Sequence, residues 1–104
     1  MIELIYTEQA LLDLERVSDF LLETDPQAAV DTAALIFDAL EIVVQHPEIG
    51  PKVHFGQCEL VISRGGSGYL ALYRFLPHID PSRGQVLVLA IRHHRESGYK
   101  IATS

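Results

Sequence analysis

The hydrophobic and polar positions of the chain follow a helical period in the first half and a strand-like period in the second. A short alternating segment, residues 2–6, predicts a strand. In residues 8–23 the apolar positions recur at spacings of three, four and seven, which is one face of an amphipathic helix. Thr7 precedes this segment and is expected to cap the helix. The chain is therefore expected to begin with a strand that leads into a helix.

The residues around the sequence TDP predict that the first helix ends there and that a second helix begins. Asp25 is a good N-cap, and Pro26 suits the first helical position, where its missing N–H costs nothing. Pro47 disfavours helix in the residue before it, so the second helix is expected to end near Gln45 or His46. Because the link is so short, the two helices are predicted to form an antiparallel hairpin.

From residue 58 onward the sequence predicts three strands, CELVIS, GYLALYRFL and QVLVLAIR, which follow a loop with two prolines and two glycines. The turns between them, RGGS and PHIDPSRG, are short enough for an antiparallel meander. The predicted order is β-α-α-β-β-β. Helices that precede the strands favour an α+β fold, in which the helical hairpin packs on one face of an antiparallel sheet of about four strands.

Length and composition indicate a single domain, spanning residues 1–104, in which 48% of the residues are hydrophobic. Cys58 is the only cysteine, so no intrachain disulfide can form, and its side chain is expected in the core or at a strand edge. The opening residues lack the features of a secretion signal, and no apolar run approaches the roughly 20 residues that a membrane span needs. A cytoplasmic protein without a membrane partner is expected.

Charge divides the chain into two unequal halves. Residues 1–50 contain eleven acids and a single base, Arg16, whereas residues 51–104 contain seven bases and three acids. The halves carry −10 and +4, and the whole chain carries −6 at pH 7. This asymmetry indicates an anionic or acidic partner for the second half, or simply acidic helices beside a sheet whose strand ends carry arginine.

The end of the last predicted strand carries the candidate functional residues. The apolar run from Val86 to Ile91 leads directly into RHHRE and then Tyr99. Arginine binds phosphate with a planar fork, histidine exchanges protons near neutral pH, and tyrosine stacks on bases or donates a proton. Two interpretations stay open: a site that binds and cleaves a phosphodiester, or arginines that pair with acids of the helices or of a partner. The full set of candidates is Arg64, Arg74, Arg92, His93, His94, Arg95 and Tyr99.

Other kinds of site are disfavoured. SRGGSGY lacks the Gly-Lys-Ser/Thr ending of a phosphate loop and joins two strands, so it is expected to be a turn. His93 and His94 are adjacent, and in a strand their side chains would point to opposite faces, which disfavours a shared metal ion. The other three histidines are scattered over loops. No metal and no cofactor is expected.

Several segments together resemble the RelE/ParE superfamily of bacterial toxins. They are TEQALLDLERVSDFLLETDPQAAVD, HPEIGP, ELVISRGGSGYLALYRF and AIRHHRESGY, and the resemblance spans about Ile5 to Tyr99. Within it, Ala10–Leu14 is similar to an Ala-x-x-Asp-Leu segment of the family and His46–Gly50 to a His-Pro-x-Ile-Gly loop. The resemblance implies a toxin of a type II toxin–antitoxin module. It also implies a ParD- or RelB-like antitoxin, which would fold on the toxin in a hetero-oligomer.

Two branches of this superfamily imply different activities, and the sequence leaves both open. ParE-like members poison DNA gyrase by trapping its cleaved complex with DNA, and they are not enzymes. RelE-like members enter the ribosome and cut mRNA as endoribonucleases. The net charge of −6 favours the ParE-like alternative, because ribosomal RNA repels an acidic protein. A third alternative is a non-toxic member that only binds its antitoxin and regulates its operon.

Each activity calls for a different set of residues. A gyrase inhibitor would use the arginines as a binding surface, whereas a nuclease would use arginine to hold phosphate and histidine or tyrosine to transfer protons. The expected binding surface is Arg74, Arg92 and Arg95. The expected catalytic set, which applies only to the nuclease, is Arg64, Arg92, His93, His94 and Tyr99.

Overall fold

The structure, a computed structural model, describes residues 1–64 and 67–100 of the chain. The elements follow the predicted order β-α-α-β-β-β, with one 3₁₀ turn, Pro81–Arg83, before the last strand. Across these residues no helix combines the length and the apolar character that a membrane crossing requires. The helices and strands are β1 Glu3–Tyr6, α1 Glu8–Thr24, α2 Pro26–Gln45, β2 Cys58–Arg64, β3 Ser67–Leu76 and β4 Gln85–His93.

The predicted capping residues define both helices. The Thr7 hydroxyl oxygen accepts a hydrogen bond from the Ala10 N–H at 3.2 Å, and the Asp25 carboxylate accepts one from the Ala28 N–H at the same distance. Asp25 is both the C-cap of α1 and the N-cap of α2, and Pro26 occupies the first position of α2. One residue therefore separates the helices, and the prediction of a tight helical hairpin is confirmed.

The four strands form one sheet in the order β1-β4-β3-β2. Strands β2, β3 and β4 pair antiparallel, as the predicted meander requires, whereas β1 pairs parallel to β4. The sheet is therefore mixed, where the sequence predicted an antiparallel one. The helical hairpin carries the chain from β1 at one edge of the sheet to β2 at the other edge, and β4 returns beside β1 in the same direction.

The core lies between the helical hairpin and one face of the sheet, which we call the helix face. Fully buried side chains of α2 meet those of β3 and β4 there, and Cys58 joins them, as predicted. Burying each large aliphatic or aromatic side chain contributes about 1.5–3 kcal/mol. The largest fully buried apolar side chains are Tyr73, Ile36, Leu40, Ile91, Val43, Val86 and Val88.

A one-residue bulge in β4 decides which way the candidate residues face. Leu72 pairs with Ala90 and Tyr73 pairs with Val88, so Leu89 has no partner on β3. The Thr7 hydroxyl lies 2.9 and 3.0 Å from the Val88 and Leu89 carbonyl oxygens and holds the bulge against the start of α1. Because side chains alternate along a strand, one extra residue moves every later side chain to the opposite face.

The consequence of the bulge is seen at the end of β4. Val86 and Val88 point to the helix face before it, and Ile91 and His93 do so after it, opposite Ala71 and Tyr69. Arg92, opposite Leu70, points to the other face, which we call the open face. Without the bulge Arg92 would be directed into the core.

Candidate functional site

Four of the candidate residues lie where β4 ends and the chain reverses, in a segment we call the basic turn, residues 92–96; they are Arg92, His93, His94 and Arg95. The Glu96 N–H donates to the His93 carbonyl oxygen at 3.0 Å, which closes the turn. The Arg95 N–H donates to Nδ1 of His93 at 3.1 Å. The turn therefore begins immediately after the last strand residue, and His94 and Arg95 are exposed.

The two histidines do not point to opposite faces, so that prediction is wrong. Their ring centroids lie 4.5 Å apart with an interplanar angle of 33°. The physical reason is that β4 ends at His93, so strand alternation does not extend to His94. His93 packs edge-on against Tyr69 at 5.2 Å, whereas Nδ1 of His94 lies 3.0 Å from the Gly68 N–H donor. Burial, together with the charges of His94 and Arg95, lowers the pKa of His93 below its ordinary value.

Arg92 and Tyr99 meet on the open face of the sheet. The Arg92 guanidinium carbon lies 5.1 Å from the centroid of the Tyr99 ring, a cation–π contact. Nη1 of Arg92 also donates to the Glu96 carbonyl oxygen at 2.8 Å. Arg92 therefore ties the basic turn to the residues that follow it.

The Tyr99 hydroxyl is held by a carboxylate of β2. It donates to Oε2 of Glu59 at 2.7 Å, across the open face. Burial raises the pKa of Tyr99 well above its ordinary value, and the hydrogen bond to Glu59 raises it further, because both disfavour the phenolate. Tyr99 therefore stays protonated throughout the physiological pH range.

The predicted arginine surface is only partly assembled. Arg74 is opposite Leu87, at the far end of β3, where its Nη2 donates to the Phe55 carbonyl oxygen. Arg95 is exposed, and within residues 1–64 and 67–100 its guanidinium has no carboxylate partner. Arg64 ends β2, and its side chain lies outside what the structure describes. The structure thus brings Arg92 and Arg95 into one turn and places Arg74 elsewhere.

A groove of about 560 Å³ runs between α1 and the basic turn. Its walls are mostly apolar, and its rim is charged; such a surface suits a segment that carries both apolar and acidic side chains. In the described part of the chain no cluster of His, Cys, Asp or Glu is arranged to hold a metal ion. The groove is lined by Val17, Phe20, Leu21 and Tyr69 on the apolar side and by Arg16, His93, Arg95 and Glu96 at the rim.

Three residues that the sequence analysis did not propose as functional hold the basic turn against α1; they are Asp13, Arg16 and Glu96. Asp13, fully buried in α1, accepts hydrogen bonds from the Ile91 N–H at 2.8 Å and from Arg16. Nη2 of Arg16 donates to Oε1 of Glu96 at 3.0 Å, and the same oxygen accepts from the His93 N–H at 2.9 Å. The sequence held two signals: Asp13 is an acid among apolar positions of α1, and Arg16 is the only base in residues 1–50.

Charge and hydrogen bonding keep Arg16 and Glu96 ionised. Burial alone would raise the pKa of Glu96, but hydrogen bonds from the His93 N–H and from Arg16 hold it below its ordinary value. Burial would likewise lower the pKa of Arg16, but hydrogen bonds to Asp13 and Glu96 raise it instead. The arginine is therefore the shared positive charge between a helix carboxylate and a turn carboxylate.

Comparison with known proteins identifies the family. The model of a family described as "ParE toxin of type II toxin-antitoxin system, parDE" matches residues 4–98. Toxin RelE3 of Caulobacter vibrioides is 32% identical over 88 residues, which are 85% of this chain and 89% of that protein. A solved structure titled "Chromosomal ParDE TA system from P. aeruginosa" shares the fold, with a TM-score of 0.63 and 21% identity over 85% of this chain and 92% of that chain. The chain therefore belongs to the ParE toxin family of type II toxin–antitoxin systems.

Proposed function

We propose that this toxin arrests growth by binding DNA gyrase through the basic turn, and that it does not cleave RNA. The observation that carries the proposal is the arrangement of the candidate catalytic side chains. Arg92 and Tyr99 lie on the open face of the sheet, whereas His93 packs against Tyr69 on the helix face. The two groups lie on opposite faces of the sheet, which disfavours joint contact with one scissile phosphate.

The state of Tyr99 gives independent support. A general acid or base works best when its pKa lies near the working pH, and burial moves the pKa of Tyr99 away from that range. Its proton is already donated to Glu59 at 2.7 Å. Arg92 in turn donates to the Glu96 carbonyl oxygen. Both side chains hold the chain in place, which favours a binding surface over a nuclease site.

Charge points in the same direction. The chain carries −6, and affinity for RNA falls steeply when a protein offers few cations to phosphate. An acidic toxin that binds a protein target meets no such penalty. The exposed Arg95, which has no carboxylate partner among the described residues, remains available for an acidic site on the target.

We propose that the antitoxin covers the groove between α1 and the basic turn. Its apolar walls include Phe20, of which 70% is exposed, and Leu21. Arg95 and His93 at the rim suit acidic side chains of a bound segment. A segment seated there would contact the same turn that we assign to the target, so neutralisation would follow from occlusion.

The experiment that tests the target is expression of the toxin in bacteria without an antitoxin. Incorporation of labelled precursors into DNA and into protein is followed over minutes, and purified toxin is added to a gyrase supercoiling assay. We expect DNA synthesis to stop first and supercoiling to be inhibited. If protein synthesis stops first and mRNA is cut, the RelE-like alternative is correct. If soluble toxin causes no arrest, the non-toxic alternative is correct.

Two variants separate binding from catalysis. Tyr99→Phe should keep most of the toxicity, whereas loss of a general acid or base would lower RNA cleavage by about 10²–10⁴-fold. Arg92→Ala combined with Arg95→Ala should abolish toxicity while the protein stays folded. Arg83→Ala removes one exposed arginine at the opposite end of β4 from the basic turn and is the matched control. Equal toxicity of the double variant and the control would place the active surface elsewhere.

A further inference from the structure

Strand β4 extends beyond the strand that pairs with its outer edge. Strand β1 pairs with β4 only from Gln85 to Val88, and β4 continues to His93. From residue 89 onward, β4 therefore has β3 on one side and, among residues 1–64 and 67–100, no strand on the other. The N–H and C=O groups on that free edge require other partners, because unpaired backbone groups in a partly buried strand are costly.

Side chains from α1 and from the turn take the place of the missing strand. The Ile91 N–H donates to Oδ2 of Asp13 at 2.8 Å, and the Ile91 carbonyl oxygen accepts from Nη2 of Arg16 at 3.2 Å. The next amide on the same edge, the N–H of His93, donates to Oε1 of Glu96 at 2.9 Å. These three bonds reproduce the alternating donors and acceptors of a neighbouring strand.

The three side chains also bind one another. Arg16 donates to both Asp13 and Glu96, so the helix carboxylate and the turn carboxylate share one guanidinium. Asp13 is completely buried and receives a further hydrogen bond from Nε2 of Gln9 at 2.8 Å. A buried carboxylate that accepts several hydrogen bonds has a fixed position, so Asp13 also fixes the positions of Arg16 and of the Ile91 backbone.

We propose that Asp13, Arg16 and Glu96 form an edge clamp that positions the basic turn for binding to the target. Asp13 has no exposed surface, so it acts only through the residues it holds. The clamp binds the backbone of β4 at Ile91 and His93, on both sides of Arg92 and two residues before Arg95. This inference rests on the proposed function of the turn, and it assigns a role to the acidic position of the Ala10–Leu14 segment.

The test compares Asp13→Asn with Asp19→Asn, which makes the same change at an exposed position of the same helix. An asparagine at position 13 presents an N–H₂ group to donors that need an acceptor. Amide hydrogen exchange should accelerate about tenfold or more at Ile91, because its hydrogen bond to a charged group is lost. Exchange should also rise at His93, because Arg16, which Asp13 holds, positions the Glu96 acceptor of the His93 N–H. Exchange at the α2 residue Leu40 should not change. Gyrase inhibition should fall about tenfold in Asp13→Asn, because the hydrogen bond from the Ile91 N–H that positions the turn is lost. Inhibition by the control Asp19→Asn should stay unchanged.

A second pair of variants covers the case in which Asp13→Asn fails to fold. Glu96→Gln keeps an oxygen that accepts from the His93 N–H, whereas Glu96→Ala removes it. The positioning role predicts that Gln preserves most of the inhibition and the slow exchange at His93, and that Ala loses both. Equal inhibition by the two variants, or full inhibition by a folded variant with fast exchange at Ile91 and His93, would overturn the proposal.

The exchange measurement keeps the two proposals distinguishable. It needs no target, so fast exchange in Asp13→Asn or Glu96→Ala supports the clamp even if wild-type toxin fails to inhibit gyrase. Failure of wild-type inhibition would contradict the proposed function alone. Unchanged exchange at Ile91 in a folded Asp13→Asn protein would contradict the clamp alone.

Discussion

Removal of one hydroxyl group, by Tyr73→Phe, should weaken the fold far more than its size suggests. Tyr73 is completely buried on the helix face of β3. Its hydroxyl donates to the Pro47 carbonyl oxygen at 2.8 Å and accepts from the Gly50 N–H at 2.9 Å. This side chain thus holds the HPEIGP loop, which follows α2, against the sheet. Phenylalanine would keep the ring packing and leave both backbone groups without their partner.

The expected loss in free energy of unfolding follows from the exposure of those two groups. Gly50 is buried, so its N–H stays unsatisfied, at a cost of about 1–3 kcal/mol. Pro47 is half-exposed and its carbonyl can bind water, so only the net value of one hydrogen bond, about 1 kcal/mol, is lost there. The sum is about 2–4 kcal/mol, a large part of the roughly 5–15 kcal/mol that stabilises a typical domain.

The assay is urea unfolding of the isolated toxin, with Tyr69→Phe as the matched control. Tyr69 lies on the same face of the same strand and is also buried, but its hydroxyl makes no hydrogen bond within the described part of the chain. The control should change the free energy of unfolding by less than about 0.5 kcal/mol. If Tyr73→Phe is no less stable than Tyr69→Phe, the hydroxyl does not hold the loop and the reasoning fails.

Two further predictions concern stability. Gly84→Ala would place a Cβ 2.8 Å from Cε1 of Phe75, and it should lower the free energy of unfolding in urea by about 1–3 kcal/mol. Gly98→Ala is the control, because a Cβ there meets nothing within 4 Å, and it should leave the stability unchanged. Burial and the charge of Glu41 raise the pKa of Tyr6 to about 12, so the folded state favours the neutral phenol and stability should fall as pH rises from about 10 to 12. Tyr6→Phe should lose less stability over that interval when urea unfolding is compared at pH 9 and pH 11; an equal loss in both proteins would exclude Tyr6 as the cause.

The helices could be predicted from sequence because their determinants are local. Thr7 and Asp25 cap the backbone within three residues, and Pro26 acts on its own backbone angle. The parallel pairing of β1 with β4 depends instead on contacts between residues about eighty positions apart, such as Glu3 with Gln85. No local pattern distinguishes that arrangement from an antiparallel one.

The sequence names the candidate residues but does not reveal how they are arranged in space. The sequence placed Arg92, His93 and Tyr99 in one cluster because they are close along the chain. Strand alternation places Arg92 and His93 on opposite faces of the sheet, and the bulge at Leu89 decides that Arg92 takes the open face and His93 the helix face. A bulge is set by its partners, here the Thr7 hydroxyl and the register of β3, so strand alternation in the sequence alone does not reveal it.

The structure shows which residues the acidic first half and the basic second half of the chain contact near the basic turn. If the arginines of the basic turn merely paired with acids of the helices, Arg92 and Arg95 would contact carboxylates of α1 or α2. In the described part of the chain the base that pairs with a helix acid near the turn is Arg16, itself on α1. Arg92 is directed to backbone carbonyl oxygen and to an aromatic ring. The acidic half of the chain therefore supplies the support of the turn, and among the described residues Arg95 forms no ion pair with it.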